Sequence, residues 1–102
     1  MERKPHILDH YVLDTLMADL VGHDRRPSAF LVYLAILAEA AHGRAILSYA
    51  ELAERTGLSK RTIQNAAAAL ARRRLVEIRK SGPTEAMEYL PLSPWRRPGA
   101  CS

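Results

Sequence analysis

At 102 residues the chain has room for one domain, and apolar and charged shares of 48% and 25% are those of an ordinary globular protein. Its longest apolar run, Ala29 to Ala38, falls short of the roughly 20 residues a membrane helix needs, and Asp9, Asp14 and Asp19 interrupt the N-terminal apolar stretch, so neither a spanning helix nor a secretory leader is expected. The net charge of +4 hides an asymmetry: residues 1–54 carry five Lys/Arg against eight Asp/Glu, and residues 55–102 carry ten against three. Such a basic half points to a polyanionic partner. The lone cysteine, Cys101, cannot close an internal disulfide, which fits a reducing cytoplasm.

The spacing predicts a first helix from about Ile7 to Val21. Leu8, Val12, Leu16 and Leu20 form one stripe at steps of four, and Leu13, Met17 and Val21 form another beside it. Gly22 to Pro27 reads as a polar break. A second helix follows over about Ala29 to His42, closed by Gly43, and its scarcity of polar residues marks it as the central, most buried helix. Ala45, Ile46 and Leu47 suit a short edge strand. Ser48 and Glu51 have capping-box spacing, which starts a third helix near Tyr49 that ends at Thr56 and Gly57. Ser59 caps a fourth helix, Lys60 to about Arg74, with Ile63, Ala67 and Leu70 turned to the core. Period-two alternation over Val76 to Arg79, turn residues at 81–84 and an extended pattern over Met87 to Leu92 make a β-hairpin. No repeat is present, and the alanine run 66–69 is the one biased tract.

The segment from Glu51 to Asn65 resembles the helix-turn-helix of bacterial regulators, with Ala53, Gly57, Ser59 and Ile63 at the positions that pattern emphasises. Each has a physical role: Ala53 lets two helices cross closely, Gly57 takes a positive φ, Ser59 caps and Ile63 anchors. With the helix before it and the hairpin after it, residues 28–92 are similar to a winged-helix domain, as in MarR-like regulators and plasmid or phage replication initiators. The implied fold is mainly α with a small β-hairpin wing and an extra N-terminal helix: residues 1–27 form that helix, 28–92 the winged helix-turn-helix, and 93–102 a flexible basic tail. Two departures stand out. Many relatives have glycine between the recognition helix and the wing, where this chain has Arg73 or Arg74. The alanines at 66–69 confine a base-reading surface to the first two turns.

The resemblance implies a double-stranded DNA partner read by the helix 60–74. Lys60, Arg61, Gln64 and Asn65 fall on its outer surface, where Arg can bond guanine and Gln or Asn can bond adenine through two hydrogen bonds. Ser59 and Thr62 suit phosphate oxygens near the positive helix end. Arg72 and Arg73 at the helix C-terminus and Arg79 and Lys80 beside the hairpin turn are candidate backbone contacts. A plain solvated face, and favourable dipole contacts for the C-terminal arginines, explain the same residues without DNA.

The first helix carries more apolar surface than one small domain needs to cover. Leu8, Tyr11, Val12, Leu16, Met17 and Leu20 are therefore expected to pack against a second copy in a twofold homodimer. His6 and His10 lack a third ligand, so no metal is expected, and neither cofactor nor catalytic nucleophile is apparent. The leading expectation is a dimeric, cytoplasmic transcriptional regulator without enzyme activity, reading an inverted repeat. A plasmid or phage replication or partition factor, and a winged helix that binds an acidic protein, are the alternatives.

Overall fold

The computed structural model describes residues 8–40, 43–80, 82 and 86–92. Three α-helices and a three-stranded antiparallel sheet follow an N-terminal helix: α1 Pro27–Glu39, β1 Ala45–Leu47, α2 Tyr49–Thr56, α3 Lys60–Arg72, β2 Val76–Lys80 and β3 Met87–Pro91. The expected tail, 93–102, lies outside the described residues.

The N-terminal helix, over 10–23, has unusually wide turns, with two π-helical stretches at Val12–Leu16 and Ala18–His23. The N–H of Met17 bonds the carbonyl of Val12, and that of Asp24 bonds Asp19, each five residues back. A strict step of four overshoots a 3.6-residue turn by about 40°, which would wind the stripe around an ordinary helix. Widening the turn counters that drift and keeps Val12, Leu16 and Leu20 on one face.

That face corrects the expected dimer surface. Val12, Leu16 and Leu20 are all buried in the chain's own core, Tyr11 packs against it, and Leu8 is half-buried. Of the six residues expected at a subunit contact, Met17 alone is well exposed, at 42%. The cause is the neighbouring α1, whose apolar surface needs the same stripe to close it. The second stripe, Leu13, Met17 and Val21, is the one left open to solvent.

Pro27 starts α1 at a position where a missing N–H is harmless. The helix stops at Glu39, three residues before the expected His42, because Ala40 turns extended toward β1. Gly43 does have a positive φ of 87°, but it serves the turn into β1 rather than the helix end. Ala29, Val32 and Ile36 are fully buried, as expected of a central helix, while Leu31 is exposed.

Strand β3 is central, in the order β1-β3-β2. Ala45 pairs with Tyr89 and Leu47 with Met87 on one side, and Ile78 pairs with Tyr89 on the other. Pro91, opposite Val76, lies beyond the reach of β1, so its missing donor leaves no gap in a two-sided ladder. Alternation along β1 buries Ala45 and Leu47 and exposes Ile46. The whole is a winged helix-turn-helix, in which β2 and β3 form the wing.

Tyr89 sits at the centre of that sheet, completely buried, and its hydroxyl finds no hydrogen-bond partner among the described residues. Burial, with a smaller contribution from Tyr49, pushes its ionisation well above the ordinary tyrosine range. A buried hydroxyl left unsatisfied costs about 1–3 kcal/mol. Tyr89→Phe should therefore fold normally and gain about 1 kcal/mol in urea denaturation at pH 8. Because the folded-state pKa is raised, the tyrosine's contribution is intact below the unfolded value near 10 and is lost as pH climbs above it. The phenylalanine variant should lose less stability than the parent between pH 9 and about 11; equal losses would contradict this assignment.

Candidate nucleic-acid interface

The geometry of α3 is set from both ends. At its start, Ser59 Oγ accepts a hydrogen bond from the backbone N–H of Thr62 at 3.1 Å and donates to Thr62 Oγ1 at 2.9 Å. The preceding helix ends at Gly57, left-handed at φ 79°, after Thr56 Oγ1 has donated to the Leu52 carbonyl and accepted from the N–H of Leu58. At the start of α2 the capping box is complete: Ser48 Oγ accepts from the N–H of Glu51, and Glu51 Oε1 accepts from the N–H of Ser48. Two caps and one left-handed glycine thus define the angle between α2 and α3.

The far end of α3 is a Schellman closure. The N–H of Arg74 bonds the carbonyl of Ala71 at 3.0 Å and that of Leu75 bonds Leu70 at 2.9 Å, with Leu70 and Leu75 both buried. The residue at the left-handed position of such a closure is usually glycine; here it is Arg74, at φ 58°. The glycine missing from the helix–wing junction is therefore replaced by Arg74 specifically, at a strain of roughly 1–2 kcal/mol. The helix ends at Arg72, two residues before the expected limit.

Ile63, Ala66, Ala67, Ala69 and Leu70 are buried, so three of the four alanines face inward. Outward are Lys60, Arg61, Gln64, Asn65, Ala68 and Arg72, all exposed. Arg61, Asn65, Ala68 and Arg72 follow one another at steps of four, three and four, which is one line along a helix. Its basic and amide groups lie in the first two turns, Ala68 leaves the middle bare, and Arg72 begins a separate basic region. Of the alanines expected to smooth the outer face, only Ala68 lies on it.

The remaining candidates divide. Lys80 is exposed on the wing with no carboxylate partner among the described residues. Arg79 is exposed, but its Nε donates to Glu77 Oε2 at 2.7 Å. Arg73 turns back to the N-terminal segment, 3.4 Å from Asp24 and 3.8 Å from Asp19. The hydroxyls of Ser59 and Thr62 are occupied with each other, and Thr62 is half-buried. At the α3 N-terminus, the N–H groups of Lys60 and Arg61 precede the first intrahelical bond, from Ile63 to Ser59. They remain available to an anion together with the two side chains.

The bridge from Arg73 to Asp19 and Asp24 was beyond sequence reasoning, since 49 positions separate Arg73 from Asp24 and no local pattern joins them. Among the described residues no group of three His, Cys, Asp or Glu could hold a metal, and no helix is long and apolar enough to cross a membrane.

A family model described as a helix-turn-helix domain matches residues 26–76, half of the chain. That span begins at the residue before α1 and ends at the first residue of β2. No curated protein and no solved structure gives a significant match.

Ser59→Ala removes the side chain that holds the first turn of the outward row. The variant should lose about 1 kcal/mol of unfolding free energy in urea titration, whereas Ser59→Asp, which can still cap, should lose less.

Proposed function

Because the chain belongs to the helix-turn-helix domain family, we propose that it is a sequence-specific double-stranded DNA-binding protein that inserts the start of α3 into the major groove. The observation that carries this reading is the exposed polar group of Arg61, Gln64 and Asn65, on the side of α3 away from the face that buries Ile63, Ala67 and Leu70. An anchored helix presents those donors in fixed directions, which base reading requires and a merely solvated face does not. Arg61 pairs with guanine, Gln64 and Asn65 with adenine, and Lys60 and the first N–H groups hold the adjoining phosphates. Lys80 lies on the wing, and so contacts the neighbouring backbone.

The protein acts as a transcriptional regulator in a twofold dimer. Leu13, Met17 and Val21, exposed at 49%, 42% and 40%, lie four apart along the N-terminal helix. Two such helices packed antiparallel place Met17 at the axis and Leu13 of one copy against Val21 of the other. The two α3 helices then enter successive major grooves about 34 Å apart on an inverted repeat.

Selection of bound duplexes from a random pool should return an inverted repeat. Arg61→Ala and Gln64→Ala should each lower discrimination by about 1–3 kcal/mol at one base-pair position of the half-site. Unchanged affinity and preference in both variants would refute the assignment of α3. In sedimentation at micromolar concentration the parent should exceed the mass of one chain, and Met17→Glu should run as a clean 11.4 kDa species. A parent that already runs at that mass has no dimer.

A further inference from the structure

The base-reading row occupies one end of α3, and a second group of arginines occupies the other. Arg73 forms the hub: its guanidinium reaches Asp24 and Asp19 and ties the end of α3 to the loop that leads into α1. The chain neighbours of this bridge are arginines on both strands of the connection. Arg25 and Arg26 follow Asp24, while Arg72 and Arg74 flank Arg73. All four are exposed, and none has a carboxylate partner among the described residues. Five arginines against Asp19 and Asp24 leave the cluster strongly positive.

Ordinary structural causes explain part of this group. Cations in the last turn of a helix are favoured by its dipole, which accounts for Arg72 and Arg73. Arg25 and Arg26 follow the C-terminal end of the N-terminal helix, which favours a cation, but they also stand at the positive pole of α1, which disfavours one and has no acidic residue in its first turn to offset them. The backbone adds an independent sign. Among the described residues the non-glycine positions with positive φ are Arg25, at 55°, and Arg74, at 58°. Glycine would take either conformation without strain, yet both positions hold arginine and both belong to this cluster. Each closes a helix end, Arg74 that of α3 and Arg25 that of the N-terminal helix, where the N–H of Arg26 bonds the carbonyl of Leu20 at 2.7 Å; arginine in place of glycine at both ends keeps two exposed cations on one surface at the cost of strain.

We propose that Arg25, Arg26, Arg72 and Arg74 form a second phosphate-gripping surface, which holds the DNA backbone flanking the groove segment read by Arg61, Gln64 and Asn65. The inference rests on the DNA reading of α3. From Ser59 to Arg73 the helix spans about 20 Å at 1.5 Å per residue. This is a little over half of a duplex turn of about 34 Å. The phosphates within reach therefore belong to the neighbouring stretch of backbone, beyond those that frame the read bases. Arginine suits this task, because its planar fork offers paired donors to phosphate oxygens.

The test uses the full chain and two duplexes, one trimmed to the selected site and one extended by about ten base pairs, one turn, at each end. Affinity is measured against salt for the parent, for Arg61→Ala and for the double variant Arg25→Gly/Arg74→Gly. Glycine relieves both left-handed residues, so the double variant should melt no lower than the parent. Arg25→Asn/Arg74→Asn, also tolerant of that conformation, repeats the measurement. The parent should gain affinity on the longer duplex. The double variants should lose that gain, and their slope of log K against log salt should be shallower by about 1.8, at 0.9 per phosphate released. Double variants that keep the gain and the slope, while Arg61→Ala weakens site preference, would overturn this surface and leave the reading of α3 standing. A parent that binds neither duplex removes both. Loss of poly-glutamate binding in the double variants, with duplex binding intact, would assign the arginines to an acidic protein and likewise overturn the proposal.

Discussion

Everything the outer face of α3 can do depends on the fit of its inner face against α1. Ile63, Ala66, Ala67 and Leu70 are all essentially buried, and so are Ala29, Val32, Tyr33 and Ile36 on the helix opposite. Alanine at 66 and 67 matters as much as the larger side chains, because small residues let the helices approach closely. Burying Ile63 and Leu70 contributes about 1.5–3 kcal/mol each, enough to fix the rotation of α3 about its own axis. Once that rotation is fixed, the directions of Arg61, Gln64 and Asn65 follow without any contact of their own.

The parts of this architecture visible in the sequence are those encoded over a few consecutive residues. Ser48 with Glu51, Gly57, and Ser59 with Thr62 are local devices, and each forms the bond or backbone conformation that its spacing implied. The wing was equally readable from alternation and turn residues. The selection of Gly43 as a helix end failed because its positive φ is required a few residues later, in the approach to β1. The choice between the two stripes of the N-terminal helix failed for another reason. Val12, Leu16 and Leu20 and the parallel set Leu13, Met17 and Val21 are nearly equivalent in composition, and only the position of α1 decides which is covered.

Charge was the least readable feature of the interface. Composition identified a basic half but could not foresee which cations would be neutralised. Arg73 is held by Asp19 and Asp24, Arg79 by Glu77 and Arg55 by Glu39, whereas Arg61 and Arg72 have no such partner among the described residues. Exposed pairs of this kind add little stability, about 0–1 kcal/mol each. Their effect is to shape the field: they quiet the flanks and leave positive potential at the two ends of α3.

The strand order has a consequence for how the molecule assembles. Among the described residues β3 is the last of three strands in sequence but lies between the other two, so β1 has no neighbour until residues 87–89 arrive. During synthesis the helical part can collapse early through contacts between segments close in sequence, while the sheet waits for partners 40 to 44 positions downstream in β3. Until then Ala45 and Leu47, destined for the interior, stand at an open edge. The helices can thus be in place before the last strand locks the wing to them.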